Sequence, residues 1–214
     1  MQVNEAMELA DWRRRVAAMY GRWRAASGDD AETATTALRA ERDDLFRHHP
    51  QSPLKPEAQS SFGGLAHWDY DPAYRMTAVL EPNLRPAREA APGLLALPSS
   101  GAEPFSFQLI GGVRLSGPLA GAMLPVFWME GYAGGLFVPF RDATAGRETY
   151  GAGRYLLDTV KGADQGGDPA SGELVLDFNV AYHPSCAYDP RWNCPLAPPE
   201  SRLDVRVEAG ERLA

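Results

Sequence analysis

Residues 104–140 read P-F-S-F-Q-L-I-G-G-V-R-L-S-G-P-L-A-G-A-M-L-P-V-F-W-M-E-G-Y-A-G-G-L-F-V-P-F. Four short apolar or alternating runs stand out, at 104–110, 113–116, 124–130 and 135–140. Gly, Pro and small residues separate them, and these punctuate regular structure. Each run has the length of a strand and is too short for a typical helix. The same texture continues outward, through 64–70 and 74–81 on one side and 155–159, 173–180 and 203–208 on the other. Many short strands at close spacing predict an antiparallel β-barrel or β-sandwich. Nothing after residue 60 reads as a long crossover helix, which argues against a parallel doubly wound sheet. Residues 81–100 and 161–171 read as loops.

The N-terminal quarter has another period. Between residues 5 and 26, Leu9, Trp12, Val16, Met19 or Tyr20, and Trp23 recur at helical spacing, with Asp11, Arg13, Arg14, Arg22 and Arg24 on the other face. Gly28 offers a left-handed terminus. Asp29 and Glu32 have the spacing of a cap and its capping-box partner. A second helix follows, with Leu38, Leu45 and Phe46 on its apolar side, and His49-Pro50 stops it because the residue before Pro avoids helical geometry. The expected fold class is therefore α+β. A helical hairpin over 1–50 packs on an antiparallel β domain over 51–214, the two forming one structural unit.

The 214 residues are 44% hydrophobic and 23% charged, an ordinary globular profile. The formal net charge of -7 disfavours a nucleic-acid or anionic-membrane surface, since phosphate binding needs clustered Lys and Arg. The run Arg13-Arg14-Arg15 is a local exception, read as a solvated helix face. No stretch approaches the roughly 20 apolar residues of a membrane span. The first residues, M-Q-V-N-E-A-M-E-L-A-D-W, lack the pattern of a secretory leader, so the expected location is cytoplasmic. Cys186 and Cys194 are then expected as thiols.

Candidate chemistry concentrates between residues 142 and 209. In Thr149-Tyr150-Gly151-Ala152-Gly153-Arg154-Tyr155 the glycines permit a sharp turn, and Arg154 is suited to fork onto a carboxylate or phosphate. This string is neither a phosphate-binding P-loop nor a dinucleotide fingerprint. Its structural alternative is a tight connection in which Arg154 pairs with Asp142, Glu148 or Asp177. Asp142 and Thr144 have the spacing of a side-chain-to-backbone turn. In Leu176-Asp177-Phe178-Asn179, a continuing strand would place Asp177 and Asn179 on one face, with Arg154 and Tyr155 as natural partners. The prolines of C-P-L-A-P-P-E-S-R, residues 194–202, make a stiff segment suited to fixing Glu200.

The C-x7-C spacing of Cys186 and Cys194 lacks the close pairing of a zinc site, and only His183 with Asp177 or Asp189 stands by to complete one. No metal and no cofactor is expected. A reactive cysteine would need a base such as His183; otherwise both cysteines read as small buried hydrophobes.

The strings D-A-T-A-G-R-E-T-Y-G-A-G-R-Y, L-D-F-N-V-A-Y-H-P-S-C-A-Y and N-C-P-L-A-P-P-E-S-R-L, with H-P-Q-S-P-L, G-L-A-H-W-D-Y-D-P-A-Y-R and the final A-G-E, occur here in one order. In this the chain resembles the bacterial and archaeal family called domain of unknown function 1684. The resemblance extends over nearly the whole chain. It implies Asn in the family where His183 and Ser201 stand here, so neither position reads as indispensable. It implies no activity.

Two functional readings follow. The first is a small-molecule binding protein for a carboxylate- or phosphate-bearing ligand. Asp142, Glu148, Tyr150, Arg154, Asn179 and Tyr182 would line its pocket, and Asp177 or Glu200 would serve as acid or base if there is chemistry. The second is a structural or interaction module. There the same residues form a fold-stabilising network, and the N-terminal helices with Trp12 and Trp23 dock a partner or a second copy.

Overall fold

The computed structural model describes residues 2–84, 94–101 and 104–214. Two helices come first, α1 (Val3–Ala26) and α2 (Ala31–His48), with a single turn, α3 (Pro56–Gln59), after them. Among the described residues eight strands follow: β1 (Arg75–Val79), β2 (Leu94–Leu97), β3 (Phe105–Arg114), β4 (Met123–Met129), β5 (Gly135–Phe140), β6 (Arg154–Asp158), β7 (Gly167–Asp168) and β8 (Glu173–Asp177). One sheet is the meander β2-β3-β4-β5-β6, and the other is β1-β8-β7. Every pairing within these two sheets is antiparallel. The α+β class expected from the sequence is the class observed, with one sheet curled as a half-barrel.

Both faces of the five-stranded sheet are covered. One face holds Phe107, Leu109, Phe127, Phe137 and Tyr155. The other packs Val113, Leu124, Val126, Val138, Phe140 and Leu156 against Met76 and Leu176 of the smaller sheet and Phe178 just after it. Side chains repeat with period two along a strand, yet Phe107, Leu109 and Val113 all carry odd numbers and point to opposite faces. A β-bulge between Leu109 and Gly111 accounts for this, because one extra residue swaps the faces. Gly111 is required there: a Cβ would press into the Glu81 carbonyl. The break expected between 110 and 113 is therefore a bulge inside one long strand.

The helices lie on the outside of the smaller sheet. Val16, Met19, Tyr20 and Trp23 of α1 and Ala34, Leu38 and Leu45 of α2 pack against Val175, Val180 and Ala163. Arg39 of α2 ties the layers by donating to the carbonyls of Trp68 at 3.0 Å and Asn179 at 2.9 Å.

Several expectations are corrected in detail. Asp30, and not Asp29, caps α2, accepting from Thr33 N–H at 3.0 Å. Ser27 ends α1 in right-handed geometry, and Gly28 is absent from the glycines of positive φ. Residues 64–70 form only an isolated bridge, His67 with Glu211, and residues 203–208 form none; the nearest bridge, Arg202 with Arg141, falls just before them. The expected loop 81–100 contains β2, while its residues 85–93 lie outside the described residues. The expected loop 161–171 contains the short β7. Among the described residues no helix is long and apolar enough to cross a membrane.

Candidate functional site

The residues expected to share a site fall into separate places. Arg154 and Asp142 form the first. Gly153, at φ +100°, turns the chain into β6 where a Cβ would meet the Phe140 carbonyl, and this delivers Arg154 to the interior. Its side chain is fully buried between the rings of Trp68 and Phe140, 5.2 and 4.9 Å from their centroids. Nη1 donates to the carbonyls of Ala209 at 2.5 Å and Glu211 at 3.1 Å, and Nη2 to Val207 at 2.9 Å and to Asp142 Oδ1 at 3.3 Å. Asp142 also accepts from the Val207 N–H at 2.8 Å and the Thr144 hydroxyl at 2.9 Å. The Asp142–Thr144 turn is thus present, and its carboxylate and Arg154 together hold down the C-terminal segment 207–211. Burial lowers the Arg154 pKa, with Asp142 opposing.

Asp177 and Asn179 form a second group. The strand ends at Asp177, and Phe178–Val180 is a 3₁₀ turn, so the expected alternation on one strand face does not occur. Asp177 caps that turn, accepting from the backbone and side-chain N–H groups of Asn179, both at 2.9 Å, and pairs with Arg75 at 3.2 Å. Asn179 exchanges two hydrogen bonds with the Asp71 backbone, at 3.0 and 2.8 Å. The partners are Arg75 and Asp71, not the Arg154 and Tyr155 expected. Glu148 stands at the surface, paired with Arg206 at 2.8 Å. Glu200 is half-buried in the Pro199–Ser201 turn. Tyr150 donates its backbone N–H to His183 Nε2 at 3.1 Å.

The enclosed space lies elsewhere, where α1 crosses the end of β6. A cavity of about 40 Å³ is bounded by Trp12, Tyr20, Arg42, Tyr155, Asp158, Lys161, Tyr182 and His183, among others. A larger one, about 210 Å³, shares Trp12, Lys161 and Ser185 with it and adds Arg13, Gln51, Trp192 and Cys194. Together they make two ends of one cleft. Of the eight residues expected from sequence, only Tyr182 lines it.

Arg154 is engaged at both Nη atoms and only its buried Nε lacks a partner among the described residues; the cleft leaves hydroxyls unengaged. Tyr155 donates its hydroxyl to the Pro195 carbonyl. The hydroxyls of Tyr20 and Tyr182 have no hydrogen-bond partner among the described residues. Burial raises the pKa of both phenols. Burial likewise raises the Asp158 carboxyl, against the charge and backbone N–H of Lys161 and the more distant Arg13. Arg42 lies between the rings of Phe46 and Tyr182, 4.8 and 4.6 Å from their centroids, and reaches Glu211 at 3.3 Å. Glu211 in turn accepts from His183 N–H at 3.1 Å and stands 3.2 Å from its Nδ1. Burial pushes the Glu211 carboxyl up, but Arg42, His183 and His67 together outweigh it and hold it below the usual range.

Sequence reading missed Tyr20, Arg42, Asp158, Lys161 and Glu211 as cleft or supporting residues. Arg42 carried a signal: it falls four residues after Leu38 and four before Phe46, on the apolar stripe of α2. Asp158 carried another, as a carboxylate straight after Tyr155, Leu156 and Leu157 in the strand R-Y-L-L-D. Among the described residues no three His, Cys, Asp or Glu side chains are grouped to hold a metal ion.

The model of a family described as protein of unknown function (DUF1684) matches residues 60–212. The chain belongs to this family. The DUF1684 segment includes the Arg154 cluster and the β6 side of the cleft, while Trp12, Tyr20 and Arg42 precede it. The chain is also similar to the solution NMR structure of an uncharacterized protein from gene locus rrnAC0354 of Haloarcula marismortui. The two share 32% identity and a TM-score of 0.61, over 87% of this chain and 96% of that one. No curated protein matches the chain.

Proposed function

We propose that this DUF1684 protein binds a small anionic molecule in the cleft between α1 and the end of β6. The observation that carries the reading is the pair of phenols, Tyr20 and Tyr182, presenting free hydroxyls beside the buried Asp158. Neither hydroxyl is sealed from solvent, so both stay open to a ligand that enters the cleft. Lys161 and Arg13, at the rim, give the counter-charge. Asp158, with its carboxyl raised by burial, is the cleft residue suited to hold a proton for a bound carboxylate. Asp177 and Glu200, expected from sequence in that role, do not line the cleft. Arg154, expected as the anion anchor, has four contacts to its own chain.

Calorimetric titration with succinate and with inorganic phosphate tests this. The proposal expects saturable binding of one of them, weakened about tenfold or more in Lys161→Ala and in Tyr182→Phe, each worth at least about 1.4 kcal/mol. Binding that survives both substitutions unchanged, or no binding to either probe, counts against the site.

The structural-module reading is favoured by one observation of its own, the closure of the C-terminal segment by Arg154 and Asp142. Its partner surface would not be the tryptophans: Trp23 is buried, and Trp12 packs on Phe46 and His49 of the same chain. Val3 and Met7 are the exposed apolar residues of α1.

A further inference from the structure

The two ends of the cleft differ in size and lining. The narrow end holds about 40 Å³ and is walled by the rings of Trp12, Tyr20, Tyr155 and Tyr182. Its walls hold one another: Arg42 stands over the Tyr182 ring, 4.6 Å from the centroid, and Tyr155 meets Tyr182 edge-on at 5.7 Å. Such a space admits a group the size of a carboxylate but no ring.

The wide end holds about 210 Å³, and its apolar surface comes from Leu9, Trp12, Trp192 and Cys194. Both indoles are fixed by neighbours of their own. Trp12 packs edge-on against His49 at 5.2 Å and tilted against Phe46 at 6.2 Å, while the Arg191 guanidinium covers one face of Trp192 at 4.9 Å. Cys194 is buried and unbridged, and adds a small apolar surface. An apolar cavity of about 150 Å³ is enough for one benzene ring, so the wide end has room for a ring on a short chain.

Positive charge sits where the ends meet. Trp12, Lys161 and Ser185 line both ends and so mark their junction. Lys161 closes the turn Thr159–Lys161 and forms no ion pair within 4.0 Å among the described residues. Arg13, at the wide end, forms none either, although its neighbours Arg14 and Arg15 both pair with Asp11, at 3.2 and 2.8 Å. Two unpaired cations therefore border a cavity lined by two indoles, in a chain whose net charge is -7. An anion that carries an apolar ring matches both features.

We propose that the ligand of this cleft is an arylalkanoate, a monocarboxylate on a short chain that ends in an aromatic ring. The ring lies in the wide end against Trp12 and Trp192, where contact between rings adds to the burial of apolar surface. The carboxylate lies at the junction, against Lys161 and Ser185, with the phenols of Tyr20 and Tyr182 beyond it in the narrow end. The assignment rests on the anion-binding reading of the same cleft and names its ligand class.

Chemical-shift titration of the isotope-labelled full-length protein tests it, with phenylacetate, acetate and phenethyl alcohol as probes. The expected result is that phenylacetate binds at least about tenfold more tightly than either of the others, since each of those lacks one half of the match. The shifts should centre on residues 9–13, 161 and 185–194. Leu9→Trp fills the wide end and should cut the preference for phenylacetate over acetate about tenfold, and Trp192→Ala should cut it in the same direction. Should Trp192→Ala fail to fold, Leu9→Trp and the three probes decide. Equal affinity of acetate and phenylacetate for the cleft would overturn the aryl assignment and leave the anion-binding reading standing. Binding of the alcohol as tight as that of the acid would overturn both, as would the absence of binding by all three probes.

Discussion

Arg154 and Asp158 begin and end the same strand, both buried, and meet opposite surroundings. Arg154 has a carboxylate and three carbonyls arranged around its guanidinium, and the glycine before it is the residue that lets it enter. Asp158 faces a cavity with two free phenols and one lysine. A charge surrounded by its own chain holds a fold together. A charge left beside unused donors in an enclosed space is open to a ligand. The difference between the two ends of β6 separates the structural network from the candidate site more sharply than the density of polar residues in the sequence does.

The largest effect belongs to the Arg154 end. Arg154→Met should cost about 3–5 kcal/mol in chemical denaturation, because it strands the buried Asp142 carboxylate. Asp142→Asn in the same background should then cost much less than it does alone, giving a coupling of about 1–3 kcal/mol in a double-mutant cycle. Additive costs would show that the two side chains do not act as one unit.

Gly153→Ala comes next. At φ +100° any Cβ is strained, and here it also meets the Phe140 carbonyl, so a loss of at least about 1–2 kcal/mol is expected. A neutral Gly153→Ala would mean that the entry of Arg154 does not depend on this turn.

Acid should expose a third contribution. Burial, then Arg39, lowers the His67 pKa to about 4 from an ordinary value near 6.5. A depressed pKa means that the unfolded chain takes up the proton first. Stability from His67 is therefore whole above pH 6.5 and is lost as pH falls towards 4. Asp158 and Asp177, raised by burial, act in the opposite sense in acid. Replacing His67 by Asn isolates its share: denaturation midpoints between pH 6.5 and 4 should fall less steeply than in the parent. An unchanged slope would remove His67 from the account.

The smallest effect belongs to the cleft rim. Lys161 is exposed, and Lys161→Ala should change stability by less than about 0.5 kcal/mol while weakening anion binding. A substantial loss of stability would move Lys161 into the structural class with Arg154.

How much of this was legible in the chain differs by region. Local period exposed the helices and six of the strands, because apolar residues repeat at 3.6 and 2 wherever one face is buried. β2 and β7 escaped, being short and set among turn-forming residues. The Asp142–Thr144 turn was legible because it is local. Its pairing with Arg154 was named among three alternatives, since sequence does not say which carboxylate the fold brings near. Asp177 and Asn179 were placed on one strand face, but the chain leaves the strand at Asp177 to form a 3₁₀ turn capped by that same carboxylate. The cleft was the least legible, because one wall comes from α1 and α2 and the other from residues more than a hundred positions later. The conspicuous strings of residues 142–202 mark where backbone and charge are tightly specified. Most of them specify the fold.

Equilibrium denaturation of Arg154→Met and Asp158→Asn, side by side at neutral pH, tests the contrast most directly. The account predicts opposite signs. Arg154→Met loses about 3–5 kcal/mol. Asp158→Asn, which removes a buried charge not neutralised by a full set of partners, keeps or gains stability, as substitutions in binding sites often do. If Asp158→Asn destabilises the protein as much as Arg154→Met does, both ends of β6 are structural, and the cleft loses its claim as the ligand site.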